Sequence, residues 1–213
     1  MLDTGSVPAG VDPRNLAVDP TGRFLYVAET TAGVFQFVID PATGELVAAG
    51  SAAGDGTTSA VAVHPSGRYL YATNVGGDSI SMWSIDPVNG TLSPLAPPTL
   101  STGVGSDPVG LAFDPHGAHL YAAFSGLQQL AHFTLDVDTG LLAFESNAPT
   151  SAQNPLSVAV DATGTVLACT NGGSNGVVSL FALDPLTGAP SPSGFAAAGA
   201  GPTTGVAFSR DIQ

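Results

Sequence analysis

Lysine is absent from the 213 residues, and four arginines stand against seventeen aspartates and glutamates, giving a formal net charge of −13. Nucleic acid is therefore a poor partner, because phosphate neutralisation needs clustered cations. An anionic membrane surface is disfavoured for the same reason. No apolar run approaches the ~20 residues of a membrane helix. Met1-Leu2-Asp3 opens without the basic and apolar regions of a secretory leader, so membrane insertion is not expected. Cys169 stands alone, which rules out an internal disulfide and any cysteine-based metal site. No His/Cys/Asp/Glu spacing points to a metal either, and no cofactor is expected. Helical periodicity is also missing: no stretch long enough to compete with strands shows it.

What is present is repetition. VDPTGRFLYVAE at Val18 returns as VHPSGRYLYATN at Val63, FDPHGAHLYAAF at Phe113 and VDATGTVLACTN at Val160. The glycines of these turns, Gly22, Gly67, Gly117 and Gly164, stand 45, 50 and 47 apart. A second series, Gly44, Gly90, Gly140 and Gly188, stands 46, 50 and 48 apart and closes IDPATG, IDPVNG, LDVDTG and LDPLTG. Between the turns lie short runs rich in β-branched and aromatic residues, four to a period. A four-stranded meander repeated every ~45 residues is the signature of a β-propeller blade.

Two columns of the repeat carry size information. The first strand of each period holds Ala17, Ala62, Ala112, Ala159 and Ala207, which suits an innermost strand where sheets converge. The third holds Phe37, Trp83, Phe133 and Phe181, rings suited to the wider gap farther out. The expected fold is all-β: one propeller domain over residues 1–213, with repeats at about 8–57, 58–106, 107–153 and 154–200 and a terminal strand at 201–213. Met1 aligns inside a fourth strand, and Phe208 to Asp211 fall within a first turn. The expectation is four complete blades plus one flanking strand at each end, with about 10 Å between the end strands. That is part of a larger propeller or an open arc.

The pattern Pro-x-x-(Leu/Val)-Ala-(Val/Phe)-Asp-Pro-x-Gly-Arg-(Phe/Tyr)-Leu-Tyr-(Val/Ala)-Ala, followed by Ile-Asp-Pro-x-(Thr/Asn)-Gly, resembles the seven-bladed propeller lactonase family. It is also similar to the YVTN repeat proteins of the same architecture. Pro13 to Ala28 and Ile39 to Gly44 show it best, while the fourth repeat departs with Ala162 for Pro and Ala168 for Tyr. The resemblance implies a hydrolase of the 6-phosphogluconolactonase type that opens a sugar-derived or other carboxylic lactone. The alternative is a non-catalytic YVTN-type binding or scaffold module. The first implies a cytoplasmic protein with a small lactone as ligand, the second a periplasmic or extracellular one with a protein ligand on the loop rim.

An antiparallel meander sends alternate connections to opposite rims. The short repeated turns share one rim, and the longer, more varied loops share the other, where a site is grafted. That loop rim displays Arg14, Asn15, Glu29, Ser59, Asn74, Asp78, Gln128, Ser157, Asn171 and Asn175. Lactone hydrolysis needs a base to activate water and donors to hold the developing oxyanion. Glu29 is the expected base and Arg14 the expected oxyanion holder, with Asn15, Asn74 and Asn171 as polar ligands of the substrate. His64, His116, His119 and His132 all fall in turns or strands away from that rim. Gly172-Gly173-Ser174-Asn175-Gly176 fits G-x-S-x-G, but no helix follows as a nucleophile elbow requires. Asp136-x-Asp138-x-Gly140 has the start of a calcium loop without its distal glutamate. Asn89-Gly90-Thr91 reads as a hairpin turn before it reads as a glycosylation site.

Overall fold

The computed structural model describes residues 6–173, 176–199, 201 and 203–208. It contains sixteen strands in four four-stranded antiparallel sheets. The chain forms two compact units, Met1–Thr102 and Gly103–Gln213. The first unit holds sheet β1(Pro13–Val18), β2(Phe24–Glu29), β3(Gly33–Ile39), β4(Leu46–Ala52) and sheet β5(Thr57–Val63), β6(Tyr69–Val75), β7(Ser79–Ile85), β8(Leu92–Ser101). The second holds β9(Pro108–Phe113), β10(His119–Phe124), β11(Gln129–Leu135), β12(Leu142–Pro149) and β13(Pro155–Val160), β14(Val166–Asn171), β15(Val177–Leu183), β16(Pro190–Ala197). Each sheet is one sequence repeat, with its strands in chain order. Of the two expected flanking strands, the N-terminal one lies largely outside the described residues. At the other end, residues 203–208 take no strand conformation.

The turn words are self-contained. Asp19 is buried and accepts the N–H groups of Thr21 (3.0 Å), Arg23 (2.7 Å) and Phe24 (2.7 Å), plus the Thr21 hydroxyl. Asp161 does the same for Thr163, Thr165 and Val166. His64, which replaces Asp in the second repeat, accepts the Ser66 N–H through Nδ1 at 3.1 Å. In the other turn series, Asp136 Oδ1 takes the N–H groups of Asp138 and Thr139, the same pattern that Asp40, Asp86 and Asp184 show. An Asp that folds back on its own turn replaces bonds the backbone would otherwise lack. This is why the residue recurs.

Each unit is one interface between two sheets. In the first, Phe24, Tyr26, Ala28 and Val34 pack against Val61, Leu70, Ala72, Trp83 and Ile85. In the second, Tyr121, Ala123 and Leu130 pack against Val158, Leu167, Cys169, Phe181 and Leu183. The column rings Phe37, Trp83, Phe133 and Phe181 are all buried. Within each unit the first strands of the two sheets lie together, β1 with β5 and β9 with β13.

The two repeated phrases latch onto each other. The Tyr26 hydroxyl, fully buried, donates to the Gly90 carbonyl at 2.8 Å in the β7–β8 turn of the next sheet. The Phe24 ring occupies the place where a Gly90 side chain would go, 2.4 Å from an ideal Cβ. Arg23 donates to the carbonyls of Pro87 (3.2 Å) and Val88 (2.9 Å) in the same turn. The second unit repeats this: Tyr121 donates to the Gly188 carbonyl at 2.7 Å, and the His119 ring lies 2.5 Å from the Gly188 Cβ position. Aromatic-Leu-Tyr and Thr/Asn-Gly are thus two halves of one inter-sheet contact.

Candidate functional site

The antiparallel ladders place the β2–β3, β6–β7, β10–β11 and β14–β15 loops on the same end of their sheets as the crossings that precede β1, β5, β9 and β13. Glu29, Asn74, Phe124 and Asn171 occupy one column there, at the end of the second strand (the last residue in β2, β10 and β14 and the last but one in β6), and all four are buried.

Three of these four side chains buckle the rim. Glu29 Oε1 accepts the N–H groups of Val11 (3.2 Å) and Asp12 (3.1 Å), while Oε2 accepts those of Thr31 (2.8 Å) and Ala32 (2.6 Å) and the Thr31 hydroxyl (2.9 Å). One carboxylate therefore ties the crossing before β1 to the β2–β3 loop. Burial pushes its pKa up, but the Thr31, Ala32 and Asp12 donors outweigh that and hold it at about 2. Asn74 does the corresponding work in the second sheet, accepting from Asp55 N (3.2 Å) and donating to Ser79 Oγ (3.0 Å) and Ser81 Oγ (2.9 Å). Asn171 donates to the Ala152 carbonyl (2.8 Å) and accepts the Ser179 hydroxyl (2.7 Å). Phe124 breaks the polar column, and Ser125 takes over by donating to the Asp107 carbonyl through N–H (3.1 Å) and Oγ (2.9 Å).

Arg14 and Asn15 go elsewhere. Arg14 is the extra residue of a β-bulge between the Pro13–Glu29 and Asn15–Ala28 pairs. A bulge re-aims a side chain out of the ladder. Its guanidinium meets Asp12 Oδ2 at 2.8 Å, and the two side chains stay 56% and 48% exposed. The partner carboxylate is thus Asp12, while Glu29 sits beneath and positions the Asp12 backbone. Asn15 Oδ1 accepts the Val61 N–H at 3.0 Å, fastening β1 to β5. The signal for Asp12 was available in the sequence: residues two apart on near-extended chain share a face.

Of the other rim residues, Asp78 and Gln128 adopt left-handed backbone at matching hairpin positions, with φ of 46° and 58°. Asn175 and Ser174 lie outside the described residues. In the second unit the rim opens into a cavity of about 360 Å³ lined by Ser151, Gln153, Asn171, Gly173 and Gly176. The remaining described arginines are on the turn rim: Arg23 over the Phe24 ring at 4.8 Å and Arg68 over Tyr69 at 5.1 Å. His132, mid-strand in β11, is buried, meets His119 Nδ1 through Nε2 at 3.0 Å and stacks on Tyr121. Among the described residues, no group of three or more His, Cys, Asp or Glu side chains could hold a metal ion.

Residues 7–123 and 97–207 match the family described as lactonase, 7-bladed beta-propeller, and so cover the repeats from end to end. The chain belongs to this lactonase family. A 6-phosphogluconolactonase of Bacillus subtilis is 30% identical over 163 residues, 73% of this chain and 45% of that protein. One from Formosa agariphila is 31% identical over 148 residues, 66% of this chain and 41% of that protein. The chain thus spans about half the length of the curated lactonase relatives it matches. Among solved structures, a Bacteroides fragilis protein superposes with a TM-score of 0.80 at 21% identity, covering 90% of this chain and 59% of that one. The periplasmic gluconolactonase of Pseudomonas aeruginosa superposes with 0.76 at 22% identity, covering 87% and 57%. At those identities the superpositions speak for the lactonase fold alone.

Proposed function

We propose that the chain carries part of a lactone hydrolase site on its loop rim, with Arg14 as oxyanion holder and Asp12 as the carboxylate that activates water. The supporting observation is the exposed Arg14–Asp12 pair at 2.8 Å on a bulge, set against a Glu29 carboxylate whose oxygens accept six hydrogen bonds. A base must reach the proton it takes, and Glu29, buried and held at about 2, is neither accessible nor basic near neutrality. Its role in this reading is positioning: it fixes the Asp12 backbone and the mouth of the β2–β3 loop.

In the proposed reaction water attacks the lactone carbonyl carbon while Asp12 takes its proton. The carbonyl oxygen becomes an oxyanion held by the Arg14 guanidinium. The ring carbon–oxygen bond then breaks, the ring oxygen takes up the proton, and the product is the open hydroxy acid. The curated relatives of known name are 6-phosphogluconolactonases, and they support a sugar-derived lactone as the substrate class.

Hydrolysis of δ-gluconolactone, followed by base uptake at constant pH, tests the reading. Asp12→Asn and Arg14→Ala are each expected to lower kcat by about 100-fold or more. Glu29→Gln is expected to alter KM and kcat together while leaving the acid limb of the pH–rate profile in place, as a positioning residue should. Loss of that limb in Glu29→Gln alone would return the base role to Glu29. A chain without turnover on any lactone would remove the enzyme reading in favour of a binding module.

A further inference from the structure

The β7–β8 turn that receives Tyr26 holds a residue pair with chemistry of its own. Thr43, Asn89, Thr139 and Thr187 occupy one column, each directly before its turn glycine. In the three threonine repeats Oγ1 accepts the N–H two residues on, from Glu45, Leu141 and Ala189. Asn89 keeps that role, with Oδ1 accepting the Thr91 N–H at 2.9 Å and the Thr91 hydroxyl at 2.8 Å. What asparagine adds is an exposed carboxamide next to the backbone nitrogen of Gly90, where no side chain hinders approach. Among the described residues the other Asn-Gly pair starts at Asn171, which is buried with its amide donating to Ala152 and accepting from Ser179.

We infer that Asn89-Gly90 is a self-modifying site, converted to aspartate and isoaspartate when the latch onto Tyr26 opens. The Gly90 nitrogen attacks Asn89 Cγ, and the oxyanion that forms on Oδ1 is held by the two Thr91 donors, which do not depend on the other sheet. Nδ2 leaves as ammonia, taking the proton that the Gly90 nitrogen gives up, and a cyclic succinimide closes. Water then opens one of its two carbonyls, leaving a carboxylate on a normal aspartyl or an isoaspartyl linkage. The folded turn opposes the first step. Gly90 N–H is committed to the Asp86 carbonyl at 2.8 Å, the Gly90 carbonyl accepts Tyr26 at 2.8 Å, and the Phe24 ring lies against the glycine. Attack therefore proceeds from the locally opened turn. The isoaspartyl product carries an extra backbone carbon, which moves the Gly90 carbonyl out of register with the Tyr26 hydroxyl. The latch then cannot re-form.

The test incubates the whole chain at mildly alkaline pH and follows the amide-to-acid mass change in the peptide containing the turn, with electron-transfer fragmentation to separate aspartate from isoaspartate. Conversion at Asn89 is expected to be slow in the folded parent protein, about fivefold or more faster in Tyr26→Phe, and fastest in the urea-unfolded chain. Urea below the unfolding midpoint gives a second arm on the unaltered chain: the rate should climb while the Trp83 fluorescence stays native. Asn89→Thr, the residue of the other three repeats, should fold and show no conversion in this turn. After incubation the parent protein should unfold at lower urea than Asn89→Thr treated alike. Conversion as fast in the folded parent protein as in the unfolded chain would overturn the inference. So would a rate that neither Tyr26→Phe nor sub-denaturing urea raises, or a converted protein that unfolds at the same urea concentration as a fresh one.

Discussion

Gly90 and Gly44 provide a controlled comparison, because they hold the same turn position in two sheets of one unit and share a left-handed backbone, with φ of 76° and 75°. A Cβ at Gly90 would lie 2.4 Å from Phe24 Cδ1, whereas a Cβ at Gly44 meets nothing within 4 Å among the described residues. Alanine at either site incurs the left-handed penalty of about 1–2 kcal/mol. At Gly90 it must also displace a buried ring, an overpacking cost of about 1–3 kcal/mol. Gly90→Ala is therefore expected to destabilise the unit by about 2–5 kcal/mol and Gly44→Ala by about 1–2 kcal/mol. Tyr26→Phe removes one buried hydrogen bond from the same latch, about 1–2 kcal/mol. Combined with Gly90→Ala it should cost less than the sum, because the two share a partner. Trp83 is the single tryptophan, is buried and belongs to this core, so its fluorescence during urea unfolding reports this unit directly. Equal destabilisation by the two glycine variants would show that the ring contact does not hold the sheets together.

Three other outcomes follow. His132, held neutral by burial and by the neighbouring His119, has its pKa lowered to about 4 despite the opposing pull of Glu145 and Asp114. The unfolded chain binds this proton more readily, so stability present above pH ~6.5 declines as pH falls toward 4, by order of 1–3 kcal/mol. His132→Gln, which installs the residue found at Gln36 in the first repeat, should flatten the melting temperature between pH 6.5 and 5. Glu29 acts in a lower window: its depressed pKa contributes stability above pH ~4.5 that is lost as pH falls toward 2. Glu29→Ala should lower the urea midpoint and remove that acid-side dependence, measured by the same tryptophan signal. Tyr121→Phe breaks the Gly188 latch and should destabilise the second unit by about 1–2 kcal/mol, seen by amide hydrogen exchange in β14 and β15.

The architecture was legible because it is written in residues with one job each. Asp-Pro-x-Gly needs an acceptor and a left-handed glycine, Phe37 and its column need volume, and a period near 45 needs four strands. The function of the Leu-Tyr and Thr-Gly pairs was not legible. They meet across 64 residues of sequence, from Tyr26 to Gly90, and no local pattern announces such a contact. The two ends of each sheet are legible from the alternation of short repeated turns with varied loops, but charge alone does not separate the rim's buried side chains from its exposed ones. Glu29, Asn74 and Asn171 share one repeat position, and a repeated position is usually scaffold. They are buried and bonded accordingly. Arg14 has no counterpart in the other repeats, whereas Asp12 corresponds to Asp107 and Asn154 ahead of β9 and β13, each accepting a loop N–H through its carbonyl; with Arg14 beside it, Asp12 is half of an ion pair left open to solvent.

Glu29, Asn74 and Asn171 hold the rim together, while in the proposed reading Arg14, which no other repeat shares, carries chemistry with the neighbouring Asp12. Turnover of δ-gluconolactone and the urea midpoint, measured on one preparation of Asp12→Asn, test that division most directly. The expected result is that kcat falls by about 100-fold while the unfolding free energy obtained from the urea curve stays within about 0.5 kcal/mol of that of the parent protein. Undiminished kcat, or a midpoint that collapses together with it, would contradict the account.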